Sequence, residues 1–301
     1  MADPLGSSGP RLSQEQGLLI REIECKSILS KSGITGVDYA INPYVGCAHG
    51  CVYCYAVFMK RFTGHEEEWG TFVDIKINAP EVLTKQLRRA KPGNISFGTV
   101  TDAYQPLERE YGITRACLEA LLEHPHPISI LTKSALVLRD LDLIKKLKDV
   151  EVAFTITTLD EEVRRRFEPG ASPIAARLEA LRAFSEAGIP TWAFCGPLLP
   201  GITDDEASLD ALFAQLKRAG VGYVLVDSLN LRGAVWGRLS RVLRAHYPHL
   251  VEAYRQLSSD RSPYHAALVE KSRRLAAGHG LGWEGVTMGQ GDERADNAGG
   301  S

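Results

Sequence analysis

The strongest constraint on this chain is one loop, residues 42–56, with the sequence NPYVGCAHGCVYCYA. Three of the six cysteines, Cys47, Cys51 and Cys54, fall within it, spaced Cys-x3-Cys-x2-Cys. A fold built around such a loop must shelter whatever three thiolates hold. Three thiolates from one short segment suit an iron–sulfur cluster that keeps one iron without a protein ligand from the loop. Structural zinc takes four ligands, usually as two separated Cys-x2-Cys pairs, and the second pair is absent. His49 could complete a zinc set, but it lies between two cysteines in a tight loop, where its ring is poorly placed to face the same ion. A disulfide framework is disfavoured too. The opening residues, MADPLGSSGPRLSQEQG, contain neither the basic nor the apolar region of a secretory signal. Cys25, Cys117 and Cys195 read as small core residues.

The rest of the chain alternates strand and helix patterns. Short apolar runs at 37–41, 94–98, 128–132, 152–157, 191–195 and 222–226 read as strands. Between them come helix patterns: 79–90 with Pro80 in its first turn, the row Ile113, Cys117 and Leu121, the row Leu141 and Ile144, then 173–187 and 205–219. The last two end in Ala187-Gly188-Ile189 and Ala219-Gly220-Val221, each predicting a left-handed glycine stop. Six strand–helix units predict an α/β fold, a partial (β/α)6 TIM-like barrel with chemistry on the loops after its strands. After residue 230 only helices are expected, around Val235, Leu239, Val242 and Leu243, around Tyr254 and Leu257, and over 263–277.

The expected organisation is a flexible tail at 1–17, a barrel with its lead-in over 18–230, a helical extension over 231–286 and a disordered tail at 287–301. The charge run His65-Glu66-Glu67-Glu68 reads as a solvated loop. A net charge of −2 argues against a strongly basic nucleic-acid binder. Local arginines at 164–166, 232, 238, 241, 244, 273 and 274 leave room for a phosphate-facing stripe. No window reaches the length of apolar residues that spans a bilayer, and an oxidation-prone cluster fits a cytoplasmic location.

The cysteine spacing, with Tyr53 before the last cysteine, resembles the signature of the radical S-adenosylmethionine (SAM) enzymes. The fuller string Asn-Pro-Tyr-x-Gly-Cys-x-His-x-Cys-x-Tyr-Cys-Tyr-Ala is similar to the branch related to spore photoproduct lyase, and the resemblance runs from about Ser27 to about Val226. It implies Cys47, Cys51 and Cys54 as ligands of a [4Fe–4S] cluster, with SAM on the open iron and Tyr53 packed near cluster and adenine. It matches Thr101 and Asp102 to the SAM ammonium group, although an ordinary helix cap explains a Thr-Asp pair as well. Lys133, within Thr132-Lys133-Ser134, matches the SAM carboxylate or is a plain surface lysine. Thr157 is the choice, ahead of Thr155, for the ribose or methionyl oxygens. Glu168, Pro169 and Arg177 follow the family pattern and equally suit an internal ion pair.

Tyr53 and Tyr55 resemble the lyase's pair of radical-relay tyrosines. The lyase's hydrogen-donating cysteine aligns with Val100, which has no thiol, so Cys195 stands as a candidate donor or a buried filler. The resulting expectation is reductive cleavage of SAM and hydrogen-atom abstraction from an unidentified substrate, with a flavodoxin or ferredoxin as reductant. Two alternatives stand beside it: a nucleic-acid lesion repair or modification enzyme, and a non-catalytic iron–sulfur or zinc module.

Overall fold

The computed structural model describes residues 12–15, 17–231, 234–259 and 262–285. Arg232 and the expected tail at 287–301 lie outside the described residues. In chain order the strands are β1 (Leu12–Glu15), β2 (Leu18–Ile23), β3 (Leu29–Lys31), β4 (Tyr39–Ile41), β5 (Tyr44–Gly46), β6 (Phe72–Lys76), β7 (Ile95–Phe97), β8 (Ile128–Thr132), β9 (Val150–Thr155), β10 (Thr191–Leu198), β11 (Tyr223–Ser228) and β12 (Gly282–Gly285). The helices are α1 (Ala79–Leu87), α2 (Glu108–Tyr111), α3 (Ile113–Leu121), α4 (Leu141–Ile144), α5 (Glu161–Phe167), α6 (Ile174–Glu186), α7 (Glu206–Arg218), α8 (Ala234–His246), α9 (Val251–Ser259) and α10 (Ser262–Gly278).

All six expected strands are present, as β4 and β7 to β11, side by side and parallel in that order. With the helices between them they form the partial barrel of an α/β fold, followed by a helical C-terminal region. α6 and α7 bury Leu181 and Phe184, and Leu209, Leu212, Phe213 and Leu216, against the sheet. Each fully buried side chain of this kind contributes about 1.5–3 kcal/mol. Both helices stop as their glycines predict: Gly188 and Gly220 have φ of 79° and 83°. The following amides, of Ile189 and Val221, reach back to the carbonyls of Phe184 and Leu216 at 3.0 and 3.1 Å.

Three features differ from the sequence expectation. The parallel sheet gains β12, paired to β11 beyond the helices. The segment expected as a mobile tail carries β1, antiparallel to β2. A second sheet, ordered β1-β2-β6-β5, lies beside the barrel. Its β6 buries Asp74, and the partner is His65, whose Nε2 lies 3.0 Å from both carboxylate oxygens while the ring stacks on Phe72 at 3.8 Å. So the run at 65–68 is not a wholly solvated loop: His65 is buried within it. β5 of this sheet runs directly into the three-cysteine loop, and α8 covers that loop by packing Leu239 and Leu243 in one apolar cluster with Cys51, Tyr53 and Phe167.

Candidate active site

The cysteine loop begins at Gly46, whose φ of 81° and contact with β6 exclude a side chain: a Cβ there would sit 2.4 Å from the Phe72 carbonyl oxygen. Two turns follow, with the Gly50 amide donating to the Cys47 carbonyl and the Cys54 amide to the Cys51 carbonyl, both at 3.2 Å. Cys47 and Cys51 are buried and Cys54 is half-buried.

Three separate parts of the chain grip this loop. The segment after β7 supplies the first grip. The Thr101 hydroxyl donates to the Gly46 carbonyl at 2.5 Å, and the Ala48 amide donates to Gln105 Oε1 at 2.8 Å. Asp102 Oδ2 lies 3.3 Å from His49 Nδ1. The same carboxylate accepts from the Tyr104 amide, the Thr132 hydroxyl and the Lys133 amide at 2.7–2.8 Å. Burial opposes charge on both members of the His49–Asp102 pair, and their mutual attraction overrides it. His49 is pushed up to about 10 and Asp102 is held well below the usual carboxylate range. Asp102 is therefore spent inside the protein, and with Thr101 it braces the loop. These contacts describe the two residues within the chain, beside the expectation that they meet a SAM ammonium group.

The second grip is a buried ion pair. The Tyr53 hydroxyl donates to Glu168, and Glu168 Oε2 lies 2.6 Å from Arg177 Nη2. Arg177 also donates to the carbonyls of Ser172 and Thr155 at 2.8 and 2.9 Å, tying the loop to α6 and β9. Glycine at 170 allows the backbone after Glu168 to lie against 48–49, with the Gly170 amide 2.9 Å from the His49 carbonyl. The third grip is Arg238 of α8, which donates to the carbonyls of Cys51, Gly50 and Trp69 at 2.8, 3.0 and 3.1 Å.

Lys133 faces the thiols. Its Nζ lies 5.8 Å from the centre of the Tyr53 ring, and among the described residues it makes no ion pair. Burial lowers its pKa, but Cys51, Glu168 and Asp102 outweigh that and leave it raised, so the ammonium stays charged. Burial likewise pushes Cys51 up strongly and Cys54 to about 11, with Lys133 pulling both back. Val100, the position without a thiol, packs in one cluster with Cys47, Cys54 and Trp69.

Other expected residues stand apart. The Tyr55 hydroxyl donates to the Thr99 carbonyl, on a different side from the Tyr53–Glu168 contact, so the two tyrosines have separate partners. Thr157 is buried just past the end of β9. Cys195 is 0% exposed in the main core, level with Val226 and beside Ala193 on one side of β10. Side chains alternate along a strand, and a Cβ on the next residue, Gly196, would meet Phe194 and Asp227 instead. Cys195 is thus placed in the core, the position that the reading as a buried filler expects.

Most of the described arginines of the expected stripe have partners within the chain. Arg238 holds backbone, Arg241 pairs with Glu68, Arg164 with Glu161, Arg165 and Arg166 with Glu162, Arg273 with Glu270 and Arg274 with Glu206.

Residues 41–214 match the family model described as the radical SAM superfamily. The chain belongs to this superfamily. It is a radical SAM enzyme, and membership implies the family's usual SAM and [4Fe–4S] cofactors. An uncharacterized protein of Methanocaldococcus jannaschii is 36% identical over 62% of this chain and 70% of its own. One from Mycobacterium tuberculosis is 35% identical over 84% and 77%. Among solved structures, spore photoproduct lyase complexed with dinucleoside spore photoproduct superposes with a TM-score of 0.66 at 16% identity, covering 89% of this chain and 82% of the lyase. The radical SAM barrel thus takes the lyase's fold over most of its length.

Among the described residues no group of three or more His, Cys, Asp or Glu side chains is gathered closely enough to hold a metal ion. The donor set nevertheless fits an iron–sulfur cluster by its chemistry. Three thiols project from one pinned loop, with Cys47 and Cys54 helping to raise the Cys51 pKa and Cys47 that of Cys54, beside an ammonium group with no ion pair among the described residues. No helix among the described residues is long and apolar enough to cross a membrane. Two residues of the site had no sequence signal for the part they play: Gln105, one polar residue beyond the Thr-Asp pair, and Arg238, which the sequence offers only as one arginine of a possible phosphate-facing stripe.

Proposed function

We propose that this radical SAM enzyme abstracts a hydrogen atom from a nucleotide of a nucleic acid, using a [4Fe–4S] cluster held by Cys47, Cys51 and Cys54. Reduced and supplied with SAM, such a cluster provides a 5′-deoxyadenosyl radical. The chain's own residues bind, orient and exclude water. The observation that carries the reading is Lys133: a charged ammonium group over the Tyr53 ring, next to the cysteine thiols, with no carboxylate of the described chain paired to it. A half-buried ammonium with no carboxylate paired to it is costly, and the SAM carboxylate is the partner it awaits. Thr157 offers a hydroxyl near the end of β9 for the ribose or methionyl oxygens. Thr101, Asp102, Glu168 and Arg177 hold the loop rigid, and Tyr53 shields the thiols. The nucleic-acid substrate class is supported by the shared fold with a lyase bound to a dinucleoside photoproduct. Val100 in place of a donor thiol favours modification over dimer reversal. A flavodoxin- or ferredoxin-type protein supplies the electron, in a reducing cytoplasmic setting.

The experiment is anaerobic reconstitution with iron and sulfide, reduction, addition of SAM and quantification of 5′-deoxyadenosine, with Cys54→Ala as control. Cysteine-dependent product is expected, as is deuterium transfer into it from a deuterated oligonucleotide. Absence of SAM binding to an intact reduced cluster sinks the reading, and transfer from a peptide but no oligonucleotide overturns the substrate class. Lys133→Met is expected to weaken SAM binding about 10- to 100-fold, the loss of one charge-assisted contact of about 1.5–3 kcal/mol. Iron content should stay at the wild-type level, which separates a lost SAM contact from a lost cluster.

A further inference from the structure

Five large apolar side chains are exposed among the described residues, and the three aromatic ones, Tyr55, Phe58 and Phe62, sit on one 3₁₀ segment, Tyr55–Phe62. They are 53%, 39% and 67% exposed. Packing does not explain three open rings within eight residues, and clustered exposed apolar surface marks an interaction site. The rings of Tyr55 and Phe58 stack at 6.2 Å, and the Arg61 guanidinium lies 5.4 Å from the Phe58 ring and 4.9 Å from that of Phe62. Among the described residues Arg61 makes no ion pair. Beside the segment lies a cavity of about 470 Å³ lined by Val57, Phe58, Lys60, Arg61, Trp69 and Arg238. Its one carboxylate, Glu68, is already paired with Arg241. The face is therefore aromatic and cationic.

We propose that Tyr55–Phe62 is a stacking platform for unpaired bases of a nucleic-acid strand, with Arg61 taking the phosphates. This rests on the nucleic-acid reading above and adds to it where the strand lies. Bases stack on exposed rings without sequence preference, and nearby arginine adds phosphate and cation–π attraction. The cavity falls within the size range of small-ligand sites and has room for one nucleotide. Because the segment starts immediately after Cys54, a strand lying on it passes the edge of the cysteine loop. The platform holds nucleotides flanking the reacting one, and no chemistry occurs on it. The rival occupant, an acidic electron-donor protein, would meet an open concavity where such encounters use a broad surface.

The test is fluorescence anisotropy of a labelled single-stranded oligothymidylate with the full chain, at about 50 to 200 mM salt. Wild type is expected to bind, Phe58→Ala and Phe62→Ala each to weaken binding about 5- to 100-fold, and Arg61→Gln to lower the salt slope by about one. Thermal melting and substrate-free 5′-deoxyadenosine formation should not change in these variants. Equal binding by wild type and variants overturns the platform and leaves the nucleic-acid reading standing. No binding by wild type at the lowest salt overturns both. Unchanged oligonucleotide binding with slowed reduction by flavodoxin also overturns the platform and assigns the face to the electron donor.

Discussion

Arg177→Met is expected to lower the unfolding free energy by about 3–5 kcal/mol, the usual cost of leaving one member of a buried ion pair alone. Arg177 is 1% exposed and so is Glu168. The substitution would leave the Glu168 carboxylate in the core with the Tyr53 hydroxyl as its remaining named partner, and would strand the carbonyls of Ser172 and Thr155. The double variant Arg177→Met/Glu168→Gln should recover much of the loss, because no uncompensated charge remains. Urea unfolding measures both. Burial raises the Glu168 pKa, but Arg177 and Lys133 override it and leave the group below its ordinary 4.5. A lowered folded-state pKa gives stability that is present above 4.5 and lost as pH falls through the folded value. The gap between wild type and Arg177→Met should therefore narrow in acid. A variant within about 1 kcal/mol of wild type at neutral pH, well short of the buried-pair cost, would remove the ion pair from the account of the loop.

Gly170→Ala is expected to damage the site with a single methyl group. The φ of Gly170 is not left-handed, so alanine suits its backbone. The obstacle is the approach: the new Cβ would meet the Ala48 carbonyl oxygen at 2.5 Å, the His49 Cα at 2.8 Å and the His49 carbonyl oxygen at 3.0 Å. All three are backbone atoms between Cys47 and Cys51, and they cannot rotate away. Relief requires moving the loop, at a cost of about 1–3 kcal/mol for overpacking of this kind. After reconstitution, iron and sulfide per chain should fall to less than about half of wild type, since the same displacement shifts the cysteines proposed as ligands. Gly222→Ala is the control, because its nearest obstacle, the Thr191 carbonyl oxygen, is 3.6 Å away, and it should load normally. Full loading of the Gly170 variant would show that the loop tolerates displacement.

The barrel was legible because its signals are local. Each of β4 and β7–β11 is a short apolar run with a helix pattern beside it, and two glycines mark helix ends without any tertiary information. β6 hid because Asp74 interrupts its apolar run. That carboxylate is tolerated only through His65, which itself sits in a charge run that reads as solvent-facing. β12 hid for the opposite reason, since Gly282-Trp283-Glu284-Gly285 has little strand propensity. It pairs because β11 offers an edge and Trp283 finds Ser272 at 3.1 Å. At the site the cysteine spacing announces itself, while the grips do not. Thr101 and Asp102 carry the same letters whether they hold a ligand or a loop, and their contacts with the cysteine loop appear only in the folded chain. Cys195 reads as a donor or a filler, and its full burial appears only in the folded chain.

The three grips on the cysteine loop come from increasingly distant parts of the chain, and this sets an order of events during synthesis. The Thr101 and Gln105 contacts span 55 and 57 residues, Tyr53–Glu168 spans 115, and Arg238 to the Cys51 carbonyl spans 187. At a translation rate of about 5–20 residues per second, the thiols leave the ribosome about 10–40 s before the arginine that closes over them. During that interval the loop is held by its earlier partners alone and is open to oxygen and to adventitious metals. The nascent chain therefore depends on the reducing power of its surroundings before it has any cofactor to protect. Slowed translation upstream of α8 should lower the yield of loadable protein without any change in its sequence.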